Sequence, residues 1–317
     1  MTFAIEAEGL TKRFGATQAL AGIDLAAREG TVLGVLGPNG AGKTTAVRIL
    51  ATLIRAESGT ARVNGFDVVT QPARVRANIG LTGQYASVDE DLTGAENLVL
   101  IGRLLDLRGG AAKVRAKELL DWFDLGEAAD RPAKTYSGGM RRRLDLAASL
   151  VGRPKVIFLD EPTTGLDPAK REEMWDVVRI LVADGSTVLL TTQYLEEADA
   201  LADDILVIDH GRVIANGTPD QLKQLVGGQR LTVRPFEAAH LPQVRRVLAS
   251  VGEGEPETVR PGVLSVPVAT DGALARTVTA LDTAGVRVTE LSLHLPSLDE
   301  VFFTLTGGTV IDDEEAA

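Results

Sequence analysis

Positions 37–44, with the sequence GPNGAGKT, have the residue types and the spacing of a loop that binds phosphate. Glycines let such a loop turn its backbone N–H groups toward phosphate oxygens, and the start of the following helix adds positive potential. The lysine is predicted to reach the β- and γ-phosphates of a nucleotide, and the following threonine hydroxyl is predicted to bind Mg²⁺. A glycine turn without a ligand is disfavoured, because a strand-like run precedes the loop and a helix-like run follows it. The predicted nucleotide-binding residues here are Gly37, Asn39, Gly40, Gly42, Lys43, Thr44 and Thr45, with Thr44 also a metal ligand.

Two acidic residues at the end of a second strand-like run would complete a hydrolytic site. The run KVIFLDE, at positions 155–161, is apolar until it ends in Asp160 and Glu161. Asp160 is predicted to hold Mg²⁺, directly or through water, and Glu161 is predicted to accept a proton from an attacking water. Taken alone, the pair would be interpreted as a strand end followed by acids that cap a helix. That interpretation is disfavoured in a chain that also carries a phosphate-binding loop.

A third strand-like run, TVLLTT at positions 187–192, is followed directly by Gln193. Ligands in open α/β sheets lie beyond the carboxyl ends of the strands, so Gln193 is predicted to meet the nucleotide. Its amide has two donors and an acceptor but stays neutral, so it cannot act as a base. We expect it to donate to the γ-phosphate and orient the water, which leaves the proton to Glu161. The alternative is a polar residue that merely starts a helix.

A second helix start with the potential to bind an anion lies at Ser137, Gly138 and Gly139. One ATP does not obviously need two such starts from a single chain, and an ordinary helix cap is the alternative. The three arginines that follow, at positions 141–143, are expected to form a solvated helix face paired with nearby acids.

These residues need a scaffold that brings several strand ends together. The runs TVLGVLG, KVIFLD and TVLLTT are typical of buried parallel strands, and helix-like runs separate them. This alternation predicts an α/β fold for residues 1–226, interrupted by a mainly helical subdomain at about residues 86–150. The pattern then changes to β-α-β-α-β over residues 229–307, which predicts a small α+β domain. The acidic end, 308–317, is expected to be disordered.

The composition limits the classes of function. The chain has 33 Lys and Arg against 44 Asp and Glu, a formal charge of −11, which disfavours nonspecific nucleic-acid binding. The absence of cysteine excludes disulfides, thiol catalysis and Cys-ligated zinc, and the three histidines show no metal-ligand spacing. No apolar stretch approaches the roughly 18 residues that span a bilayer, and the first residues lack a signal pattern, so a cytosolic location is expected.

Together these motifs, in this order, resemble the ABC-type ATPases, the motor subunits of ATP-driven transporters, over residues 3–226. The resemblance implies a P-loop NTPase fold, ATP hydrolysis with Mg²⁺, and a homodimer whose two chains sandwich two nucleotides. The stretch at 137–139 would then press on the ATP held by the partner chain. The resemblance also assigns Gln84 to sensing the metal and the membrane partner, Asp167 to the nucleotide at the dimer interface, and Phe14 to stacking on adenine. A core position for Phe14 is the alternative.

A narrower similarity, to the ATPases of daunorubicin/doxorubicin-type drug exporters, rests on TGQYASVDEDLTGAENL, TYSGGMRRRLDLAASLVGRP, LLTTQYLEEADALAD and PSLDEVFFTLTG. It extends to about residue 307 and implies a separate permease of the ABC-2 class, attachment to the cytoplasmic face of the cell membrane through that permease, and efflux of a hydrophobic drug, natural product or lipid. Most ABC ATPases have Gln at position 140 and His at 193; Met140 and Gln193 are usual in this subgroup. The C-terminal domain is implied to regulate or to dimerise, and a stabilising appendage is the alternative.

Two other functions remain open. Soluble ABC ATPases that act on nucleic acid or ribosomes usually carry two cassettes or a long coiled-coil insert, whereas this chain has one cassette and an acidic charge. A nucleotide-dependent regulator or drug-sequestering protein would belong to a different class. Copurification would distinguish it from a motor, which should be pulled down with a polytopic membrane protein, whereas a sequestering protein should be pulled down with ligand alone.

Overall fold

The computed structural model describes residues 2–83, 88–226, 229–269, 272–294, 297–298 and 301–302. The chain divides into two compact units, with the boundary between Thr218 and Pro219. The strands are β1 (Phe3–Phe14), β2 (Thr17–Arg28), β3 (Val32–Leu36), β4 (Ser58–Val63), β5 (Phe66–Asp67), β6 (Ile79–Thr82), β7 (Val156–Asp160), β8 (Thr187–Thr192), β9 (Asp204–Asp209), β10 (Arg212–Gly217), β11 (Gln229–Pro235), β12 (Glu257–Arg260), β13 (Val263–Val268) and β14 (Val288–His294). The helices are α1 (Lys43–Leu50), α2 (Pro72–Arg76), α3 (Gly94–Leu104), α4 (Gly109–Trp122), α5 (Gly138–Ser149), α6 (Pro168–Ala183), α7 (Leu195–Leu201), α8 (Pro219–Val226), α9 (Leu241–Val251) and α10 (Ala273–Thr283). Short 3₁₀ helices lie at Gly126–Ala128, Ala133–Thr135 and Ala238–His240.

The first unit is built on a six-stranded sheet in the order β10-β9-β3-β8-β7-β6. All neighbours in it are parallel except β10, which pairs antiparallel with β9 at one edge. Every residue of β3, β7 and β8 is buried, as expected for parallel strands covered on both faces. Leu36 lies opposite Thr192 and Asp160 lies opposite Thr191, so the loops that follow these three strands converge at one edge.

A second sheet of this unit is antiparallel throughout, in the order β2-β1-β4-β5. One buried cluster joins both sheets to helix α1, with Ile5 from β1, Ile49 from α1 and Phe158 from β7 among its members. Each of these side chains is fully buried and contributes about 1.5–3 kcal/mol through removal of apolar surface from water. The apolar side chains of α1 therefore fix the loop that precedes the helix.

Helices α3, α4 and α5 lie in the predicted helical subdomain. Thr93 begins α3 with a capping box, in which its hydroxyl accepts from the Glu96 N–H at 3.1 Å and Glu96 accepts from the Thr93 N–H at 2.9 Å. The Tyr136 hydroxyl, one residue before Ser137, donates to the Ala128 carbonyl at 2.6 Å and is buried. A second buried cluster joins these helices to the six-stranded sheet through Leu98, Leu119, Leu144, Ile157 and Val188, among others.

The second unit contains a four-stranded antiparallel sheet in the order β12-β13-β11-β14. With α9 and α10 its chain order is β-α-β-β-α-β, a split β-α-β arrangement. The sequence pattern predicts only three strands, because all four residues of β12 are exposed and lack an apolar alternation. Helix α8 groups with this unit, although the sequence assigns it to the first domain. The domain division stays a prediction, and the tail 308–317 lies outside the described residues.

Across the described parts of the chain, no helix combines the length and the apolar character that crossing a membrane requires.

Candidate active site

The loop between β3 and α1 is shaped by glycines that no other residue could replace without strain. Gly40 and Gly42 have φ values of 81° and 111°, in the left-handed region. A Cβ atom on Gly37 would lie 2.2 Å from the carbonyl oxygen of Ile208, and one on Gly42 would lie 2.5 Å from that of Ala19. The loop is therefore fixed by close approach of neighbouring backbones. Within the described chain no side chain caps α1, so its first N–H groups are suited to an anion.

Lys43, the first residue of α1, is only 3% exposed. Its ammonium donates to the carbonyl oxygens of Gly37 at 2.8 Å and Pro38 at 3.2 Å, and pairs with Glu161 Oε1 at 3.2 Å. Burial lowers the pKa of Lys43, and the Glu161 carboxylate opposes that shift. The positive charge is thus held between the phosphate loop and the carboxylate that follows β7.

The hydroxyl of Thr44 and the carboxylate of Asp160 lie together although 116 positions separate them in the chain. Thr44 Oγ1 donates to Asp160 Oδ1 at 3.1 Å, and Thr191 Oγ1 donates to the same oxygen at 2.6 Å. Hydroxyl and carboxylate oxygens are the hard donors that Mg²⁺ prefers, so these residues fit the predicted metal. The other predicted metal residue, Gln84, lies outside the described residues.

Glu161 sits directly beyond β7 with an unusual backbone conformation for a non-glycine residue, φ 50°. Its N–H donates to both the carbonyl and the hydroxyl oxygen of Thr191, each at 3.1 Å. Its carboxylate meets Lys43 on one side, and the Thr164 hydroxyl donates to Oε2 at 3.4 Å. The structure therefore brings a carboxylate of the required type next to the phosphate loop.

Gln193 follows the carboxyl end of β8, the strand that lies between β3 and β7. It is half-buried, one residue after Thr192, whose hydroxyl accepts from the Tyr194 N–H at 2.9 Å. Its position places it at the same sheet edge as the loop after β3 and Glu161. We expect its amide to reach the nucleotide from there.

Ser137 and Asp167 occupy exposed helix starts, apart from the buried pair of Lys43 and Glu161. Ser137 Oγ accepts from the Met140 N–H at 3.2 Å and begins α5. Asp167 Oδ1 accepts from the Lys170 N–H at 3.0 Å and begins α6. The other carboxylate oxygen of Asp167 pairs with the Lys170 ammonium, so the side-chain bonds of both caps stay within their own helix turns. With Gly138 and Gly139, these residues face outward, where a second chain could meet them.

Phe14 is half exposed at 50% and ends β1. The Lys12 ammonium lies 5.4 Å from the ring centroid. The alternative of a core phenylalanine is therefore wrong, and the ring is accessible to a planar ligand. Its contact with adenine stays a prediction.

Glu197, on α7 just after Gln193, is a buried carboxylate that sequence patterns did not single out. It is 1% exposed and accepts a hydrogen bond from Trp175 Nε1 at 3.3 Å. Burial raises its pKa, against the lowering effect of its hydrogen bonds and of nearby Arg171. A glutamate at a helix start with acidic neighbours is expected to be exposed to solvent, so only the fold reveals that Glu197 is buried.

We expect Glu197→Gln to gain stability relative to the natural chain as the pH rises from about 4 toward neutrality. A carboxyl whose pKa is raised by folding contributes stability below its unfolded pKa and loses that contribution as the pH rises through its folded pKa. Gln keeps an acceptor for Trp175 and does not titrate. Urea unfolding over a pH series measures the difference, and a difference that stays constant with pH would contradict the assignment. Glu196→Gln, at the exposed neighbouring position, is the control.

Comparison with known proteins gives two family matches that together cover most of the chain. Residues 20–164 match the family described as ABC transporter. Residues 217–306 match the C-terminal domain of DrrA1-3-like ATP-binding proteins.

The chain is similar along nearly its whole length to curated resistance proteins. It is 59% identical to the daunorubicin resistance ATP-binding protein DrrA2 of Streptomyces coeruleorubidus, over 96% of this chain and 95% of that protein. It is 53% identical to the daunorubicin/doxorubicin resistance ATP-binding protein DrrA of Streptomyces peucetius, over 100% of this chain and 97% of that protein. Among solved structures, an ATP-binding cassette of an ABC transporter in its ADP conformation matches with a TM-score of 0.64 and 26% identity, over 70% of this chain and 93% of that one.

Proposed function

The chain belongs to the ATP-binding subunits of ABC transporters, and from that premise we propose that it drives efflux of a hydrophobic drug, natural product or lipid. It is a nucleotide-binding ATPase, and subunits of this kind work with separate membrane permease components. The observation that best supports hydrolysis is the convergence of Lys43, Thr44, Asp160 and Glu161 at one sheet edge. The export of drugs rests on the near full-length similarity to resistance proteins.

Four groups of this chain would divide the work of hydrolysis. The loop at 37–42, with Lys43, binds and orients the phosphates. Thr44 and Asp160 would hold Mg²⁺, which when bound neutralises phosphate charge. Glu161 takes the proton of the attacking water, because it is the carboxylate closest to the phosphate-binding lysine. Gln193 donates to the γ-phosphate and orients the water, as a neutral amide can.

We further propose that two copies of the chain close on two ATP molecules. The outward-facing starts of α5 and α6 support this arrangement. The described cap bonds of Ser137 and Asp167 stay within their own helices and involve no residue of the phosphate loop. Closure would move an ABC-2 permease and hydrolysis would reset it, so nucleotide state shifts the population of transporter conformations. The chain would then lie on the cytoplasmic face of the membrane through that permease.

Transport in vesicles tests the proposal. The chain would be purified with an ABC-2 permease, placed in liposomes, and supplied with ATP and a fluorescent anthracycline. ATP-dependent movement of the dye is expected, and the complex carrying Glu161→Gln is the matched control. A chain that hydrolyses ATP but copurifies with no membrane protein would favour a regulator. Stimulation of hydrolysis by RNA or ribosomes instead would favour the nucleic-acid alternative.

Replacing Gln193 should lower turnover through the loss of one positioned donor. Gln193→Ala is expected to reduce kcat about 100-fold or more, because a single preorganised donor to developing charge is worth that much. Gln193→His should retain hydrolysis and add a step near neutral pH to the pH–rate profile, since imidazole titrates there. Gln224→Ala, at an exposed position of α8, is the control. Unchanged turnover by Gln193→Ala would contradict the catalytic role and favour a polar residue that merely starts a helix.

A further inference from the structure

Three consecutive arginines follow the first three residues of helix α5, and each makes different contacts. Arg141 pairs with exposed Glu90 at 2.6 Å. Arg143 donates to the Phe123 carbonyl at 3.2 Å and lies 3.7 Å from the Asp124 carboxylate. These two fit the expected paired helix face, but that expectation is wrong for the arginine between them.

Arg142 turns inward and donates to three backbone carbonyls on two other segments. Its Nη2 donates to the oxygen of Glu161 at 3.1 Å, and its Nε donates to that of Pro162 at 3.0 Å. Its Nη1 donates to the oxygen of Gly83, just beyond β6, at 2.9 Å. A planar guanidinium with five N–H donors suits such a fan of acceptors, and bonds from a charged donor are stronger than neutral ones. One side chain thus ties the start of α5 to the loop that carries the proposed base.

Nearby carboxylates favour the charged form of Arg142. Burial lowers its pKa, while the acidic groups of Asp145, Asp160 and Glu197 favour the charged form. Arginine remains protonated in proteins even so. The three carbonyls therefore face a permanent cation in a half-buried setting, where hydrogen bonds are less weakened by water.

The conformation of Glu161 explains why such fastening matters. A left-handed backbone in a non-glycine residue is strained and persists only where the surroundings over-determine it. Thr191 holds the N–H side of Glu161 through two oxygens. Arg142 holds the carbonyl side and the next carbonyl, of Pro162. Without Arg142, the Glu161 carbonyl would keep only the longer bond from the Thr164 N–H, at 3.4 Å, and the Pro162 carbonyl would lose the Nε donor.

We propose that Arg142 is a positioning residue for hydrolysis, which holds the backbone of Glu161 so that its carboxylate is aimed at the attacking water. The inference rests on the proposed role of Glu161 as the base. Arg142 has no part in binding phosphate, since its bonds go to carbonyl oxygens. Its loss should therefore affect the chemical step and spare nucleotide affinity.

The test compares Arg142→Gln and Arg142→Lys with Arg143→Gln in the full-length chain, assayed with its permease. Misplacement of a reacting group by about 1 Å costs about 100-fold in rate, so Arg142→Gln is expected to lose about 10- to 100-fold in kcat. KM and the Kd for a fluorescent ATP analogue should change less than about twofold, since uniform binding is untouched. Arg142→Lys should recover only part of the rate, because one ammonium cannot reproduce the fork geometry. Arg143 contacts the Phe123 carbonyl and the Asp124 carboxylate and not the loop of Glu161, so Arg143→Gln should keep normal kcat.

If Arg142 only stabilises the fold, a different pattern is expected. The melting temperature and the yield of active protein would fall in Arg142→Gln and Arg143→Gln alike, without a selective fall in kcat per active site. Single-turnover rates in a Glu161→Gln background separate the cases further. If Arg142 acts through Glu161, the second substitution adds little there; independent effects would multiply.

Each remaining outcome decides one of the two claims. Slow turnover by Glu161→Gln with normal kcat in Arg142→Gln would overturn the positioning role alone. Normal turnover by Glu161→Gln would overturn the base assignment and this inference with it. An equal loss of ATP affinity and kcat in Arg142→Gln would also overturn the positioning role, since the residue would then serve binding.

Discussion

Glu161→Gln should reduce steady-state ATP hydrolysis by about 100- to 10,000-fold, the usual contribution of a positioned general base. The substitution keeps the shape of the side chain and removes its ability to take a proton. The bonds that hold the backbone of residue 161 come from Thr191, Arg142 and the Thr164 N–H, and they are unaffected by the change. ATP affinity should stay the same or rise, because the amide does not repel phosphate.

Phosphate release measures the hydrolysis rate, and binding of a fluorescent ATP analogue measures the affinity. Glu172→Gln, exposed on α6, provides a control of the same chemistry away from the site. Turnover within about twofold of the natural chain would show that another group takes the proton. Gln193 could not be that group, since an amide is not a base.

Lys43→Ala should remove both tight nucleotide binding and hydrolysis. Among the ion pairs of the described residues, that of Lys43 is the one that joins the loop at 37–42 to Glu161. Charge-assisted hydrogen bonds to phosphate are among the stronger contacts in proteins. Loss of Lys43 also leaves the buried Glu161 carboxylate, with its side chain 8% exposed, without its cationic partner. We expect ATP affinity to fall about 10-fold or more and hydrolysis to drop below detection.

Isothermal titration with ATP in the presence of Mg²⁺ measures the affinity, and thermal unfolding shows whether the variant is folded. Arg48→Ala removes a cation from the exposed face of the same helix and should bind ATP normally. ATP affinity equal to that of the natural chain in Lys43→Ala would contradict the role assigned to the lysine.

The sequence was informative where function depends on short, local patterns. The spacing of glycines and Lys43 in one loop, and of Asp160 and Glu161 at one strand end, is set by chemistry that tolerates little variation. Strand order follows from tertiary packing, yet the buried apolar runs were enough to predict that these strand ends meet. The structure places the two motifs together, and the roles of the residues remain proposals.

What the sequence did not reveal depends on contacts between distant segments. Three adjacent arginines are identical as letters, and only the packing of α5 against the loop after β7 turns Arg142 inward. Glu197 is likewise one of two neighbouring glutamates, of which the fold buries only one. Strand β12 carries no apolar alternation, so its pairing with β13 could not be read from its own residues.

If Lys43 binds the γ-phosphate as proposed, its number of N–H donors implies an order of events in each turnover. An ammonium has three N–H donors, and the oxygens of Gly37, Pro38 and Glu161 engage all three. A γ-phosphate oxygen that accepts from this lysine must displace one of them, and Glu161 is the partner on a side chain that can move away. Arrival of the phosphate would then free the Glu161 carboxylate for its encounter with water, and departure of the phosphate would allow the ion pair to form again. Lys43 would thus release Glu161 only while the nucleotide phosphate is bound.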